Sequence, residues 1–266
     1  MAYISLSKRD LNVLEKIKDP ESDPSSAVQI DSNLPKDPNI LDPNVYDKAS
    51  RQERDIIKSI QQLEIQSAGA HSKQPNNIDI VAGYRSCVSR LGQLIEEYPE
   101  YASARNNRAQ AIRRLCGDAV LVTDAPQPPQ ALLRHIDNDE RIEMACIALG
   151  DLDCAISLLT PTRPYSTLSP QTAKTLSMAH TQRAAIYHMT SKLLSSHALS
   201  VSRERRETSW SKLDFEENTS RDFAMGGRYG NEIARGLAVS TNPTAKLCGQ
   251  MVREAMKKEY GPEFAA

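Results

Sequence analysis

The sequence predicts an all-α protein built from about three stacked helix pairs, with an added N-terminal helix and a further C-terminal helix. Three observations point there. Ala, Leu, Ile, Arg, Gln and Glu dominate long stretches, and the β-branched alternation of strands is largely missing. Apolar residues recur at helical spacing from Ile56 through Leu94 and beyond. Helix-stopping phrases then punctuate the chain, among them Pro75, Pro99, Gly117-Asp118, Gly150-Asp151, Pro170 and Pro243. At 266 residues the chain can bury a core without disulfides or metals.

The elements follow in order. Ser7 can cap a helix over 7–18, with Leu11, Leu14 and Ile17 at helical spacing and Asp19-Pro20 as its stop. Pro20, Pro24, Pro35, Pro38 and Pro43 make 19–43 a proline-rich linker, so 1–43 is read as helix plus linker. Residues 44–260 are read as the helical domain and 261–266 as a tail. Within the domain, helices are expected at about 45–72, 79–97 and 101–116. Pro126, Pro128 and Pro129 mark 119–138 as an insertion loop. A helix over 139–149 is expected to turn at Gly150-Asp151 into a second over 152–159. Further helices are expected at about 172–196, 211–229, 231–240 and 243–260, with Pro243 as the first helical residue of the last.

Composition argues against several functions. Net charge is −1, so there is no global basic field for phosphates. Arg203-Glu204-Arg205-Arg206, followed by Glu207, reads as a solvated helix end or loop. No stretch approaches a membrane span, and Met1–Ser5 lacks the basic region and apolar run of a leader, which sets a cytoplasmic expectation. Cys87, Cys116, Cys146, Cys154 and Cys248 form no C-x-x-C pair and are expected to be reduced, mostly buried thiols. His180 and His188 lie two turns apart, too far to share a metal, and are expected to be core or surface histidines. Asp137, Asp139, Glu140 and Glu143 suit a helix start. With no phosphate loop, nucleotide fingerprint or nucleophile elbow, neither catalysis nor a cofactor or metal is expected. Two alternatives are an enzyme whose site is assembled around the 119–149 insertion, and an RNA-binding helical repeat, which the charge disfavours.

The period names the repeat. Tetratricopeptide repeats are helix–turn–helix units of about 34 residues with small residues where the helices cross. With Pro99 as a terminal proline, Cys87, Leu91 and Leu94 fall where small, bulky and apolar residues are wanted, and Ala109 follows ten positions later as the next crossing residue. Ala102-Ser103-Ala104-Arg105-Asn106-Asn107-Arg108-Ala109-Gln110-Ala111 resembles the first helix of such a repeat. His180–Tyr187 repeats the Arg-Ala phrase, but Ala184 lies 75 residues after Ala109, so about 41 residues are inserted. Gly150-Asp151-Leu152-Asp153-Cys154-Ala155-Ile156 resembles the repeat's turn and second helix, which places most of the insertion between Gly117 and Gly150.

These phrases are similar to the tetratricopeptide repeat protein 36 family. That family also shares the C-terminal phrase Asp222-Phe223, Gly230, Ala234, Asn242-Pro243, Ala245, Leu247-Cys248 and Met251, and an N-terminal Asp10, Leu14, Ile17, Asp19-Pro20. The departures are the insertions at about 119–149 and 193–212. The resemblance implies a non-enzymatic tetratricopeptide-repeat solenoid capped by Pro243–Tyr260. It further implies a protein partner among heat-shock chaperones of the seventy-kilodalton class, and a link to tyrosine metabolism through protein contacts.

A partner groove is expected around Asn107, Gln110, Arg113, Thr181 and His188. Some such repeats grip an acidic C-terminal peptide with a clamp of Lys, Arg and Asn side chains. Asn107 fits one clamp position, but Glu64, Ala68, Met178 and Gln182 occupy the others, and Arg183 is one residue off. Any chaperone contact is therefore expected to use another surface. Arg108 and Arg183, beside the crossing alanines, are expected to pack their stems and give their heads to carbonyls or carboxylates.

Overall fold

The computed structural model describes residues 28–69, 77–125, 131–163 and 166–260. The expected helix at 7–18, the first part of the linker and the tail lie outside the described residues. Eight α-helices are described: α1 Pro43–Gly69, α2 Asn77–Glu97, α3 Ala102–Cys116, α4 Asn138–Leu159, α5 Pro170–Leu193, α6 Lys212–Arg228, α7 Glu232–Thr241 and α8 Pro243–Tyr260. The described residues hold no strand, only two isolated bridges. The protein is all-α.

Local chemistry sets most boundaries. The Asp137 side chain accepts from the Asp139 backbone N–H at the start of α4. Ser169 caps α5, with Pro170 as its first residue. Ser211 and Asp214 form a reciprocal capping box on α6, and Asn231 caps α7. Gly117 ends α3 at φ 75°, a backbone state that favours glycine. Glu140, in the first turn of α4, pairs with Arg85 of α2, so the acidic cluster does decorate a helix start.

Each helix packs on the next, from α1 on α2 through α6 on α7, and α3 also touches α5. Tyr46, Ile56, Leu91, Leu94 and Tyr101 form one core between α1, α2 and α3. Ile112, Leu115, Leu149, Leu152, Leu176 and Phe215 anchor a larger one between α3 and α6. Fully burying a Leu or Phe side chain contributes about 1.5–3 kcal/mol. Ala109 and Ala184 are wholly buried.

Two expectations are corrected. Gly150-Asp151 is no turn: α4 runs unbroken through it for 22 residues. A mid-helix glycine costs about 1 kcal/mol, but Leu149 and Leu152 on either side are fully buried. Asp151 is also buried and takes Arg108 in a two-point pair at 2.6 and 2.8 Å. Continuing the helix is worth more than turning. The insertion between α3 and α4 is accordingly 117–137, and it is no simple surface loop. Ala119, Val120, Leu121 and Val122 are buried. They meet the second insertion through Thr123 N–H to Ala198 O at 3.0 Å and Ser200 N–H to Leu121 O at 2.8 Å. Arg141 ties both insertions to α4 by donating to the Val120 and Ser200 carbonyls.

The Arg203–Arg206 run is a loop with Arg203, Glu204 and Arg206 exposed, as expected, but it is not solvated throughout. Arg205 and Arg206 converge on Asp153 and on the fully buried Glu207, while the Trp210 ring packs edge-on against Tyr187 and Phe215. The thiols divide differently too. Cys87 and Cys116 are buried, Cys154 is half-buried, and Cys146 and Cys248 are exposed. Cys146 sits on the outer face of α4, and α8 buries none of its residues. The linker residues from 28 onward wrap on the helix ends. Asp31 N–H donates to Leu168 O at 2.9 Å, Ser169 Oγ donates to Lys36 O at 3.2 Å, and Asn39 Nδ2 donates to Leu158 O at 3.1 Å.

Candidate binding groove

Alternate helices α1, α3 and α5 share one layer. Asn107 Nδ2 of α3 donates to Glu53 of α1 at 2.8 Å. On the other side, Gln182 Nε2 of α5 donates to the buried Asn106 of α3 at 2.8 Å. This layer encloses an open groove of about 1090 Å³. Its α1 wall carries Glu53, Ile57, Gln61, Glu64 and Ile65, its floor Asn107, Gln110, Arg113 and Arg114, and its α5 wall Lys174, Met178 and Met189.

The carboxylates and arginines of the groove are engaged with neighbouring side chains. Glu53 accepts from the Tyr101 hydroxyl at 2.6 Å as well as from Asn107. Arg114 donates to Glu64 at 2.6 and 3.1 Å, and Tyr84 also donates to that carboxylate. The Arg114 hydrogen bonds outweigh burial and hold the Glu64 carboxyl below its usual range. Burial, reinforced by the neighbouring carboxylates, pushes the Tyr84 and Tyr101 phenols up, so both remain hydrogen-bond donors. Arg113 pairs with Asp118 at 2.6 and 3.0 Å.

Three of the five expected groove residues, Asn107, Gln110 and Arg113, line it. Thr181 and His188 do not. Thr181 Oγ1 donates to Ser177 O at 2.7 Å and accepts from Asn231 Nδ2 at 3.2 Å, beneath Gly226. The His188 ring lies half-buried, edge-on to Phe223 of α6, and burial with Lys192 and Lys246 nearby pushes its pKa down. The reason is helical phase. Met178 and Met189 are 11 residues apart and nearly in line, whereas a three-residue step from Met178 to Thr181 turns the side chain by about 60°. That turn brings it under α6 and α7.

The arginines beside the crossing alanines do meet carboxylates. Arg183 pairs with Asp222 at 2.7 Å through two nitrogens and with Asp153 at 2.6 Å. His180 is a core histidine, with Nδ1 2.8 Å from Asp222 and its ring stacked on Tyr229. The clamp positions serve other purposes. Gln182 is buried against Asn106, Glu64 holds Arg114, and the amide of Asn107 is committed to Glu53. A peptide carboxylate at Asn107 would meet the Glu53 charge.

The α1 wall was not anticipated from the sequence. Ile65 is 72% exposed along the groove. Its signal was present: Glu53, Ile57, Ile60, Gln61 and Glu64 step by three and four along a second face, beside the core face of Tyr46, Ala49 and Ile56. Among the described residues, no group of three or more His, Cys, Asp or Glu is placed to hold a metal ion. No helix among them is long and apolar enough to cross a membrane.

Compared with curated proteins, the chain is 36% identical over 262 residues to the L-tyrosine degradation gene cluster protein hmgX of Aspergillus fumigatus, covering 96% of this chain and 93% of that protein. The chain belongs to the hmgX family. It is also related to tetratricopeptide repeat protein 36, as its motifs suggested. It is 25% identical to the Danio rerio protein, over 83% of this chain and 82% of that one. It is likewise 25% identical to the Drosophila melanogaster homolog, over 96% of each. No family model matches the chain. No solved structure matches it. The hmgX likeness runs nearly end to end, so it spans both insertions as well as the groove helices.

Proposed function

We propose that this protein is a non-enzymatic scaffold of the tetratricopeptide-repeat type, which holds a protein partner of tyrosine degradation in the groove between α1, α3 and α5. One observation carries the reading: alternate helices of successive pairs line a single open groove of about 1090 Å³ with both apolar and polar side chains. Stacked helix pairs leave such concave surfaces for extended or helical segments. The pairing of Glu53, Glu64, Arg113 and Arg114 with their neighbours supports binding over catalysis, because proton transfer needs a group poised toward a substrate. The tyrosine link rests on the name of the hmgX relative.

The apolar side chains of the two walls, Ile57 and Ile65 on α1 and Met178 and Met189 on α5, suit an amphipathic segment of the partner. Heat-shock chaperones of the seventy-kilodalton class are the second partner class we assign, engaged through these side chains and not through a terminal carboxylate. The working compartment in this reading is the cytoplasm.

The test is affinity capture from native cytosol with the intact chain and with an Ile57→Glu, Met178→Glu variant. Retention of a tyrosine-degradation enzyme by the intact chain, with at least about tenfold loss in the variant, supports the groove. Equal capture by both chains, or capture of no such enzyme, sinks it.

A further inference from the structure

One buried carboxylate of the groove has no cation. Glu53 is 8% exposed and borders the groove from the N-terminal half of α1. Its oxygens accept from neutral donors, Oε1 from the Asn107 amide at 2.8 Å and Oε2 from the Tyr101 hydroxyl at 2.6 Å. Among the described residues it forms no ion pair. A carboxylate offers roughly four acceptor positions, so Glu53 keeps capacity for a further donor.

The other buried carboxylates are answered. Asp151 meets Arg105 and Arg108, Asp222 meets Arg183, and Glu207 meets Arg205 and Arg206. Asp37 has no arginine, but it faces the Ala102 backbone N–H at the positive end of α3. Within the groove, Glu64 pairs with Arg114 and Asp118 with Arg113. Lys174 has no ion pair among the described residues either, but it is exposed and stays hydrated. A charge withdrawn from water is costly unless an opposite charge meets it. Glu53 leaves that demand open in a place a ligand can reach, and local rules are broken in this way at functional sites.

We propose that the segment held in the groove seats a lysine or arginine side chain on Glu53. This rests on the groove reading and adds the charge that the occupant must carry. The basic head donates to the free acceptor positions of the carboxylate, and the segment closing over the pair excludes water and strengthens it. The apolar stem of the basic residue lies toward Ile57, which borders the same groove. Ile57 follows Glu53 by one helical turn, about 6 Å along α1. That step sets a spacing in the occupant. A basic and an apolar residue match it when they lie about three or four positions apart in a helical segment, or about two apart in an extended one. The occupant is thus of opposite sign to an acidic chain terminus.

The test selects random peptides of about 16 residues, displayed on phage, against the full chain, after removing those that bind its Ile57→Glu, Met178→Glu variant. The survivors are directed to the groove. They are expected to carry Lys or Arg at the spacing above. In a synthesised survivor, glutamine in place of the basic residue should weaken binding by about tenfold, but by less than about twofold against the full chain carrying Glu53→Gln. A second measurement needs no protein variant: carbodiimide coupling of a lysine-bearing peptide to the intact chain, followed by peptide mapping, should join its amine to Glu53. Survivors without a basic residue, equal losses on both chains, or coupling to Glu64 or Asp118 overturn the charge assignment and leave the groove standing. No survivors at all sinks the groove reading and this inference with it. Peptide binding that tightens by about tenfold when Lys8→Gln, Arg9→Gln, Lys16→Gln and Lys18→Gln are combined in the full chain gives Glu53 to the protein's own N-terminal segment, and overturns the partner assignment.

Discussion

Replacing Glu207 with Gln tests whether the second insertion is held by buried charge. The Glu207 side chain is fully buried and accepts from Arg205 at 2.9 and 2.8 Å, from the Tyr187 hydroxyl at 2.6 Å and from Arg206 at 3.3 Å. Burial alone pushes this carboxyl up. The hydrogen bonds from Arg205 and Tyr187 and the charge of Arg205 outweigh it, and lower the pKa from 4.5 to about 2. That gap corresponds to about 3 kcal/mol of stability. Because the folded value is depressed, the stabilisation is complete above the unfolded value of 4.5 and is lost as pH falls toward about 2.

Glu207→Gln keeps the shape and removes the charge, and the Arg205 and Arg206 heads are left with Asp153. Urea unfolding followed by circular dichroism at about pH 7 is expected to show a loss of about 3 kcal/mol, a midpoint about 1 M lower. By about pH 3 the intact chain has itself lost most of this term, so the two proteins should differ by only about 1 kcal/mol. A difference under about 1 kcal/mol at pH 7, or one that does not shrink with acid, would refute the assignment of stability to this buried carboxylate.

Gly150→Ala is expected to stabilise the protein by about 0.5–1 kcal/mol in thermal unfolding. The position lies inside α4 and a Cβ there meets nothing within 4 Å; destabilisation would mean that the turn exists after all. Thiol labelling should divide the cysteines by burial. Cys116 is pushed up to about 12, mainly by burial, and burial raises Cys87 as well. Since the thiolate is the reacting form, a thiol reagent at about pH 8 should modify the exposed Cys146 and Cys248 promptly and reach Cys87 and Cys116 only on unfolding. Prompt labelling of all five in the folded chain would contradict the packing.

Much of the helical plan could be read from the chain. α3 was expected at 101–116 and runs Ala102–Cys116, because Gly117 stops it. α8 was expected to run from Pro243 to about Tyr260 and does, because Pro243 suits a first helical position. Gly150 misled because a glycine inside a helix and a glycine in a turn look alike locally; only the burial of Leu149, Leu152 and Asp151 separates them. The groove was legible by half. The α3 residues followed from the repeat register, while Thr181 and His188 were displaced by the phase of α5 against α6 and α7.

By itself, the sequence determined that the protein is all-α, where most helices begin and end, and that it resembles tetratricopeptide repeat protein 36. Caps, prolines and glycines act on the backbone within a few residues, and so can be read in order along the chain. The tertiary structure alone decided which faces those helices share. It joined the two insertions through Leu121 and Ser200, gave Asp151 to Arg108, opened a second face of α1 to the groove, and left α8 uncovered. Those outcomes depend on burial and charge pairing between residues tens of positions apart, and no local pattern encodes them.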